Sequence, residues 1–280
     1  MTRRPIRHDG IDGSDEIPST RSLAARYDQE AAVYSEMWAP ILRRAGARLV
    51  GALRGGHVAK VLDLGTGVGS LWPDLRAAFP AAFVVGVDRS PGMIGRAPAE
   101  LPRAVMDARS LALRSGSVDR VIIAFVLFHL EQPLSGLREA RRVLRTGGRV
   151  GTATWGATLE SKATRIWAEC LDHYGAAPQE PATEARHEDV DTPEKMMRLL
   201  DDAGFASIRS WSETLRSRID ADHLIRLRTS MGSSKPRFDS LHATAQAACV
   251  AEARHRLKGL APEDFIARGE IIHALGCVGS

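Results

Sequence analysis

Val61-Leu62-Asp63-Leu64-Gly65-Thr66-Gly67-Val68-Gly69-Ser70 decides the reading of this chain. It is a short apolar run that carries an acid and then meets three glycines at alternate positions. Glycine has no Cβ, so Gly65, Gly67 and Gly69 allow a tight strand-to-helix turn and a close approach of backbone to a ligand. A helix starting there would aim free N–H groups at that ligand. The spacing is that of a nucleotide-like site, although G-x-G-x-x-G dinucleotide loops sit between a strand and a helix in the same way.

Working outward, apolar runs alternate with helical patterns, the mark of a parallel sheet with crossover helices. Strands are expected at 61–64, 83–87, 104–106, 118–125 and 149–154, with helices near 70–79, 92–99 and 132–144. The last helix runs into Arg145-Thr146-Gly147-Gly148, where basic residues and glycine suit a helix end. Thr192 and Pro193 open a further helix that Gly204 closes, 206–211 reads as a sixth strand and 271–277 as a seventh.

Residues 1–22, rich in charge, Gly, Ser and Pro, are expected to form a flexible arm, and 23–50 a helical cap carrying Tyr27, Tyr34 and Trp38. The core is expected over 51–155 and 192–212, helical insertions over 156–191 and 213–264, and the final strand within 265–280. The insertions and cap should roof the C-terminal strand ends, where open α/β sheets bind ligands.

The chain has 280 residues, 44% hydrophobic and 26% charged, a composition of ordinary globular proteins. No apolar run reaches the ~20 residues of a membrane span, and the N-terminus lacks a signal-peptide core, so a cytoplasmic location is expected. Cys170, Cys249 and Cys277 are scattered, which excludes an obvious zinc or disulfide framework. The net charge of +4 is spread along the chain, unlike the concentrated footprint of a nucleic-acid binder. Oligomeric state leaves no trace in the sequence. Arg226, Arg228, Lys235 and Arg237 flank 229–234 and read either as an anion-recognising loop or as a solvated basic one.

The second strand ends in Asp88-Arg89-Ser90. An acid there can accept from two vicinal ribose hydroxyls, which fits adenosine ligands of either the NAD or the S-adenosylmethionine (SAM) type. Met93 follows as an adenine wall or as sheet packing. Asp63 before Gly65-x-Gly67-x-Gly69, Asp107-Ala108 after the third strand, Leu111, the run Gly116-Ser117-Val118-Asp119 and the Leu-x-Thr-Gly-Gly turn at 144–148 together resemble the class I SAM-dependent methyltransferases, in the small-molecule branch around quinone-biosynthesis and natural-product enzymes. The resemblance spans about 61–211, with Thr146 standing where the usual turn has proline.

The resemblance implies a Rossmann-like α/β fold of seven mostly parallel strands, the last antiparallel between the fifth and sixth. It further implies SAM as methyl donor, leaving as S-adenosylhomocysteine, and a small-molecule acceptor attacking through O, N or C. Asp63, Gly65, Thr66, Gly67 and Gly69 would hold the methionine part, Asp88 and Arg89 the ribose end, and Met93, Asp107 and Ala108 the adenine. Ala124 and Phe125 would pass the methionine part from the end of strand four. His129 borders the acceptor as a candidate base or is structural. Tyr27 is a second catalytic candidate, Tyr34 and Trp155 are substrate candidates, and packing is the alternative for all three. No metal site is expected. An NAD(P)-dependent oxidoreductase, or a binding subunit that kept the fold, is the competing reading.

Overall fold

A computed structural model describes residues 20–178 and 187–279, with side chains from residue 23 onward. The expected arm therefore lies outside the described residues over 1–19, and 20–22 already belong to the first helix.

Helix α1 (Thr20–Val33) passes through a π-helical turn at Tyr34–Trp38 into α2 (Ala39–Ala52). The sequence pattern predicts an unbroken helix here. Pro40 explains the difference: it cannot donate to the carbonyl four residues back, and the Ala39 N–H instead reaches Tyr34 O, five back. The extra residue turns the Tyr34 side chain to the ligand side of the sheet.

The core then runs β1 (Lys60–Leu64), α3 (Trp72–Ala78), β2 (Phe83–Asp88), α4 (Pro91–Arg96), β3 (Arg103–Val105), β4 (Val118–Ala124), α5 (Pro133–Val143) and β5 (Leu144–Leu159). After α6 (Lys162–His173) and α7 (Pro193–Asp202) come β6 (Ala206–Arg218), α8 (Ala221–Ser230), α9 (Ser234–Asp239), α10 (Ala243–Leu257) and β7 (Ile266–Cys277). The sheet order is β3-β2-β1-β4-β5-β7-β6; β1 to β5 pair in parallel and β7 is antiparallel to both neighbours. This is the seven-stranded Rossmann-like arrangement expected. The order reverses between β1 and β4, so the connections leaving those two strands diverge and open a crevice above their C-terminal ends.

Boundaries differ from expectation in several places: β5 continues through 156–159, where a helical insertion is expected, and pairs there with a β7 that starts at Ile266 rather than 271. The segment 213–218 continues β6 rather than opening a helical insertion, because its inward positions, Glu213, Leu215 and Ser217, alternate with exposed ones at strand period. That alternation is carried mostly by polar residues, which hides it from a hydrophobicity reading. At the end of α5, Leu144 is already extended (φ −69°, ψ 137°), so Gly147 closes no helix. It sits at φ 73° in an irregularity of β5, and its N–H bonds Val278 O at 3.0 Å.

One large core fills both faces of the sheet, and α6, α8 and α10 build a second around Trp167, Cys170, Leu171, Leu224, Cys249 and Leu257. Among the described residues no helix is long and apolar enough to cross a membrane.

The N-terminal ends of the strands are held by groups that local patterning does not reveal. Asp119 accepts the Ala59 and Lys60 N–H at 2.7 Å each and pairs with Arg145, a structural role. Arg120 is only 4% exposed and donates to Leu53 O (3.1 Å), Gly55 O (2.7 Å) and Asp119 O (2.9 Å), satisfying the carbonyl end of α2. Arg120→Met is expected to cost about 2–4 kcal/mol in urea unfolding, because it strips charged donors from buried carbonyls. Cofactor affinity should stay unchanged, since Arg120 lies at the opposite end of β4 from the crevice.

Candidate active site

The crevice is a cleft whose empty space, counted out to its open mouth, is about 780 Å³. Its floor is the strand ends and its roof is α1 and the π-turn. A second, small polar pocket adjoins it, with Tyr34, Gly65, Ala124 and Phe125 in the walls of both.

Asp63 and Thr66 line that inner pocket. Asp63 is 2% exposed, and among the described residues its carboxylate takes one hydrogen bond, from the Thr66 hydroxyl at 2.7 Å. Burial, with the negative Asp88 nearby, pushes its pKa from the ordinary 3.8 to about 6. A buried acid with one neutral donor is electrostatically incomplete, and a small cation such as an ammonium group would complete it.

The three glycines divide the work of the turn. All take positive φ: 75° at Gly65, 56° at Gly67 and 70° at Gly69. A Cβ on Gly65 would fall 2.2 Å from Val126 Cγ2 and one on Gly69 2.8 Å from Pro98 Cδ, so close packing within the protein also demands these two. A Cβ on Gly67 would meet nothing nearer than Met93 Cε at 3.7 Å. Gly67 therefore faces the cleft, whereas Gly69 is not part of its lining.

Asp88 lies at the end of β2 and shapes the turn as well as facing the cleft. Its Oδ2 accepts the Gly67 N–H and its Oδ1 the Ser90 N–H, both at 2.9 Å, and burial raises its pKa. The Arg89 N–H also bears on this carboxylate, and of its about four lone-pair positions at least one remains for a ligand hydroxyl. Arg89 and Met93 line the same wall. Past β3, Asp107 and the buried Ala108 line the far end with Met106 and Leu130.

At the end of β4, Ala124 and Phe125 line both pockets. Phe125 has φ 61°, a strained conformation for a residue with a side chain. His129 follows on a short 3₁₀ turn, and its Nε2 lies 2.9 Å from the Tyr27 hydroxyl across the cleft mouth. Tyr34 meets Tyr27 edge-to-face at 5.9 Å. Enclosure pushes the Tyr27 phenol up to about 12 and raises that of Tyr34 further. Trp155 is absent from the lining of both pockets; it stands behind Phe125 (5.3 Å between ring centroids) and beside Trp38 (6.0 Å).

Several contacts escape a reading of the sequence. Asp28 on α1 accepts from the Ser90 hydroxyl at 2.5 Å and the Gly92 N–H at 2.7 Å, which pins the cap to the start of α4. Leu23 and Ala24 bring the beginning of α1 into the lining. His187 is half-buried against the Phe128 ring at 4.2 Å. Three of the four basic residues around 229–234 have carboxylate partners within the chain: Arg226 with Glu36, Lys235 with Asp239 and Arg237 with Asp172. Burial raises the Glu30 pKa, and the Gly232 N–H of the same loop acts against that rise. An open anion-recognising loop is not what these residues form.

Comparison with known proteins agrees with this geometry. Residues 62–151 match the family described as a methyltransferase domain. A malonyl-[acyl-carrier protein] O-methyltransferase of Hahella chejuensis is 33% identical over 154 residues, 53% of this chain and 52% of that protein. The chain spans 52–60% of the length of three such relatives. A demethylmenaquinone methyltransferase of Beutenbergia cavernae is 32% identical over 196 residues, 69% of this chain and 75% of that protein.

Among solved structures, Haemonchus contortus phosphoethanolamine N-methyltransferase 2, in complex with phosphomonomethylethanolamine and S-adenosylhomocysteine, has 16% identity and a TM-score of 0.51, covering 85% of this chain and 53% of that one. The [4+2]-cyclase SpnF has 15% identity and a TM-score of 0.53, covering 94% and 98%. Those two likenesses speak for the fold alone. The identity that runs through three quarters of the Beutenbergia enzyme goes further, and the chain belongs to the class I SAM-dependent methyltransferases, in their small-molecule branch.

Proposed function

We propose that this chain transfers a methyl group from SAM to an O, N or C nucleophile of a small quinone-like or secondary-metabolite acceptor, in the cytoplasm and without a nucleic-acid partner. The observation that carries the reading is Asp63, a buried acid beside the cleft with, among the described residues, a single neutral donor. The ammonium group of SAM would complete it. The pyrophosphate of NAD would instead bring negative charge toward Asp63 and Asp88. The fold does not decide the reaction, since a neighbour of the same shape is a cyclase.

In this reading Asp63, Gly65, Thr66 and Gly67 hold the methionine end, with Gly69 setting the turn. Asp88 and Arg89 hold the ribose, Met93 walls the adenine, and Asp107 and Ala108 read its edge. Ala124 and Phe125 flank the reacting centre, and Tyr34 closes over it. Trp155 acts from behind Phe125. Methyl transfer is an in-line displacement that discharges a sulfonium, so positioning in a dry cleft supplies much of the rate. A hydroxyl acceptor must also lose a proton, and the Tyr27–His129 pair is placed to take it. The cap over 23–50 forms the acceptor-side roof, and the helices within 156–191 and 213–264 back it from outside, Leu227 and Met231 packing on Met37.

Calorimetric titration with SAM, S-adenosylhomocysteine and NAD tests the cofactor. Mass spectrometry then follows methyl incorporation into a panel of quinols, phenols, amines and malonyl thioesters. Micromolar binding of S-adenosylhomocysteine with methylated product is expected. NAD binding without a response to S-adenosylhomocysteine would overturn the reading, and methylation of the malonyl thioester alone would move the acceptor to that of the Hahella relative.

A further inference from the structure

Asp107, placed above at the adenine edge, is held from behind by Arg109. Its Oδ1 accepts the Arg109 backbone N–H at 2.9 Å and Arg109 Nε at 3.1 Å, and its Oδ2 accepts Arg109 Nη2 at 2.9 Å. This is the forked arrangement in which a guanidinium fixes a carboxylate plane. Of the roughly four lone-pair positions on a carboxylate, Arg109 takes three. A second guanidinium, on Arg89 in the cleft wall, waits with Nη1 3.7 Å from Oδ2.

We infer that Arg109 is the positioning residue that sets adenine selectivity: it fixes the Asp107 carboxylate so that one oxygen position remains for the 6-amino donor. The inference rests on the assignment of Asp107 to the adenine edge. Without the fork the carboxylate is free to rotate onto Arg89, whose guanidinium would then take the position meant for the base. Arg109 is part of neither pocket lining, so its influence on the base passes through Asp107.

The test is calorimetric binding of S-adenosylhomocysteine and of S-inosylhomocysteine, in which a 6-oxo group replaces the amine. The wild-type chain is expected to prefer the adenosyl form by about 30-fold, the penalty of facing a carboxylate with an acceptor. Arg109→Ala should reduce that ratio to about 5-fold or less, and Arg109→Lys, which keeps the charge but not the fork, should fall between. Asp107→Asn should abolish the preference, because the amide can donate to the 6-oxo group.

If Asp107→Asn loses the preference while Arg109→Ala keeps it, Arg109 has no such role and Asp107 still reads adenine. If Asp107→Asn keeps the preference, the Asp107 assignment fails and the role of Arg109 falls with it. A purely structural role for Arg109 would weaken both ligands equally and leave the ratio at its wild-type value, which also overturns the inference.

Discussion

Asp63→Asn is expected to make the cofactor-free chain more heat-stable at pH 7.5 and, at the same time, to weaken S-adenosylhomocysteine binding at least 100-fold. The two effects have one cause. In the folded chain the Asp63 carboxyl has a pKa of about 6, against an ordinary value of 3.8, because it is buried beside Asp88 and, among the described residues, takes its one hydrogen bond from the Thr66 hydroxyl. A folded pKa raised above the unfolded one means that this group's stability is fully present below about pH 4 and is lost as pH rises through 6. At neutral pH the charge therefore burdens the empty fold by roughly 3 kcal/mol. Asn keeps an oxygen for Thr66 and removes the charge, but it must place an NH₂ group. A net gain of about 2 kcal/mol, or roughly 5 °C in Tm, is expected.

In the complex, removing one partner of a buried ion pair costs about 3–5 kcal/mol, which is at least 100-fold in Kd. Ligand affinity of the wild-type chain should decline as pH falls through 6, whereas the weak affinity of the Asn variant should not follow that titration. Melting curves at pH 5 and 7.5 with calorimetry at both values check all three statements. A variant that binds within threefold of wild type would remove Asp63 from the ammonium site.

What the sequence made legible and what it concealed differ in physical range. The ends of β1, β2 and β4 could be read because each carries its signal within a few residues: an apolar run, then an acid or glycines. Asp63, Gly65, Gly67, Asp88 and Phe125 lie on those ends and Asp107 just past β3, and the sheet order brings them round one crevice. The reason for each glycine was not legible. Gly65 is required by Val126 and Gly69 by Pro98, residues 61 and 29 positions away, and only Gly67 is kept bare toward the cleft. Contacts of long sequence separation left no local mark at all. Asp28 reaches Ser90 and Gly92, Arg120 reaches the end of α2, and Tyr27 reaches His129 across 102 positions. The placement of Trp155 behind Phe125 depends on Trp38, which the Pro40-induced π-turn delivers from the cap. The polar alternation of β6 was equally silent, because an exposed strand buries too little apolar surface to announce itself.

Tyr27→Phe is the second change with a large expected effect, and it separates chemistry from binding. With its phenol held near 12, Tyr27 is neutral at physiological pH, so in the proposed reaction His129 would take the proton of a hydroxyl acceptor, with Tyr27 as the bridging or orienting hydroxyl. Removing that hydroxyl should lower kcat for a phenol or quinol acceptor by roughly 10²–10³-fold, in the range of general-base catalysis. Binding of S-adenosylhomocysteine should stay within a few-fold, because the ring that shields the cleft is retained. His129→Gln should cost about as much, and the double variant little more than either single one, since two groups that move one proton fail together. An amine acceptor that reaches the cleft already deprotonated needs no base, and its turnover should be nearly indifferent to both changes. Rapid-quench measurement of a single turnover, with either acceptor class, distinguishes the outcomes. If Tyr27→Phe raises the S-adenosylhomocysteine Kd while leaving the single-turnover rate intact, the pair serves to close the cap over the cofactor rather than to carry the proton.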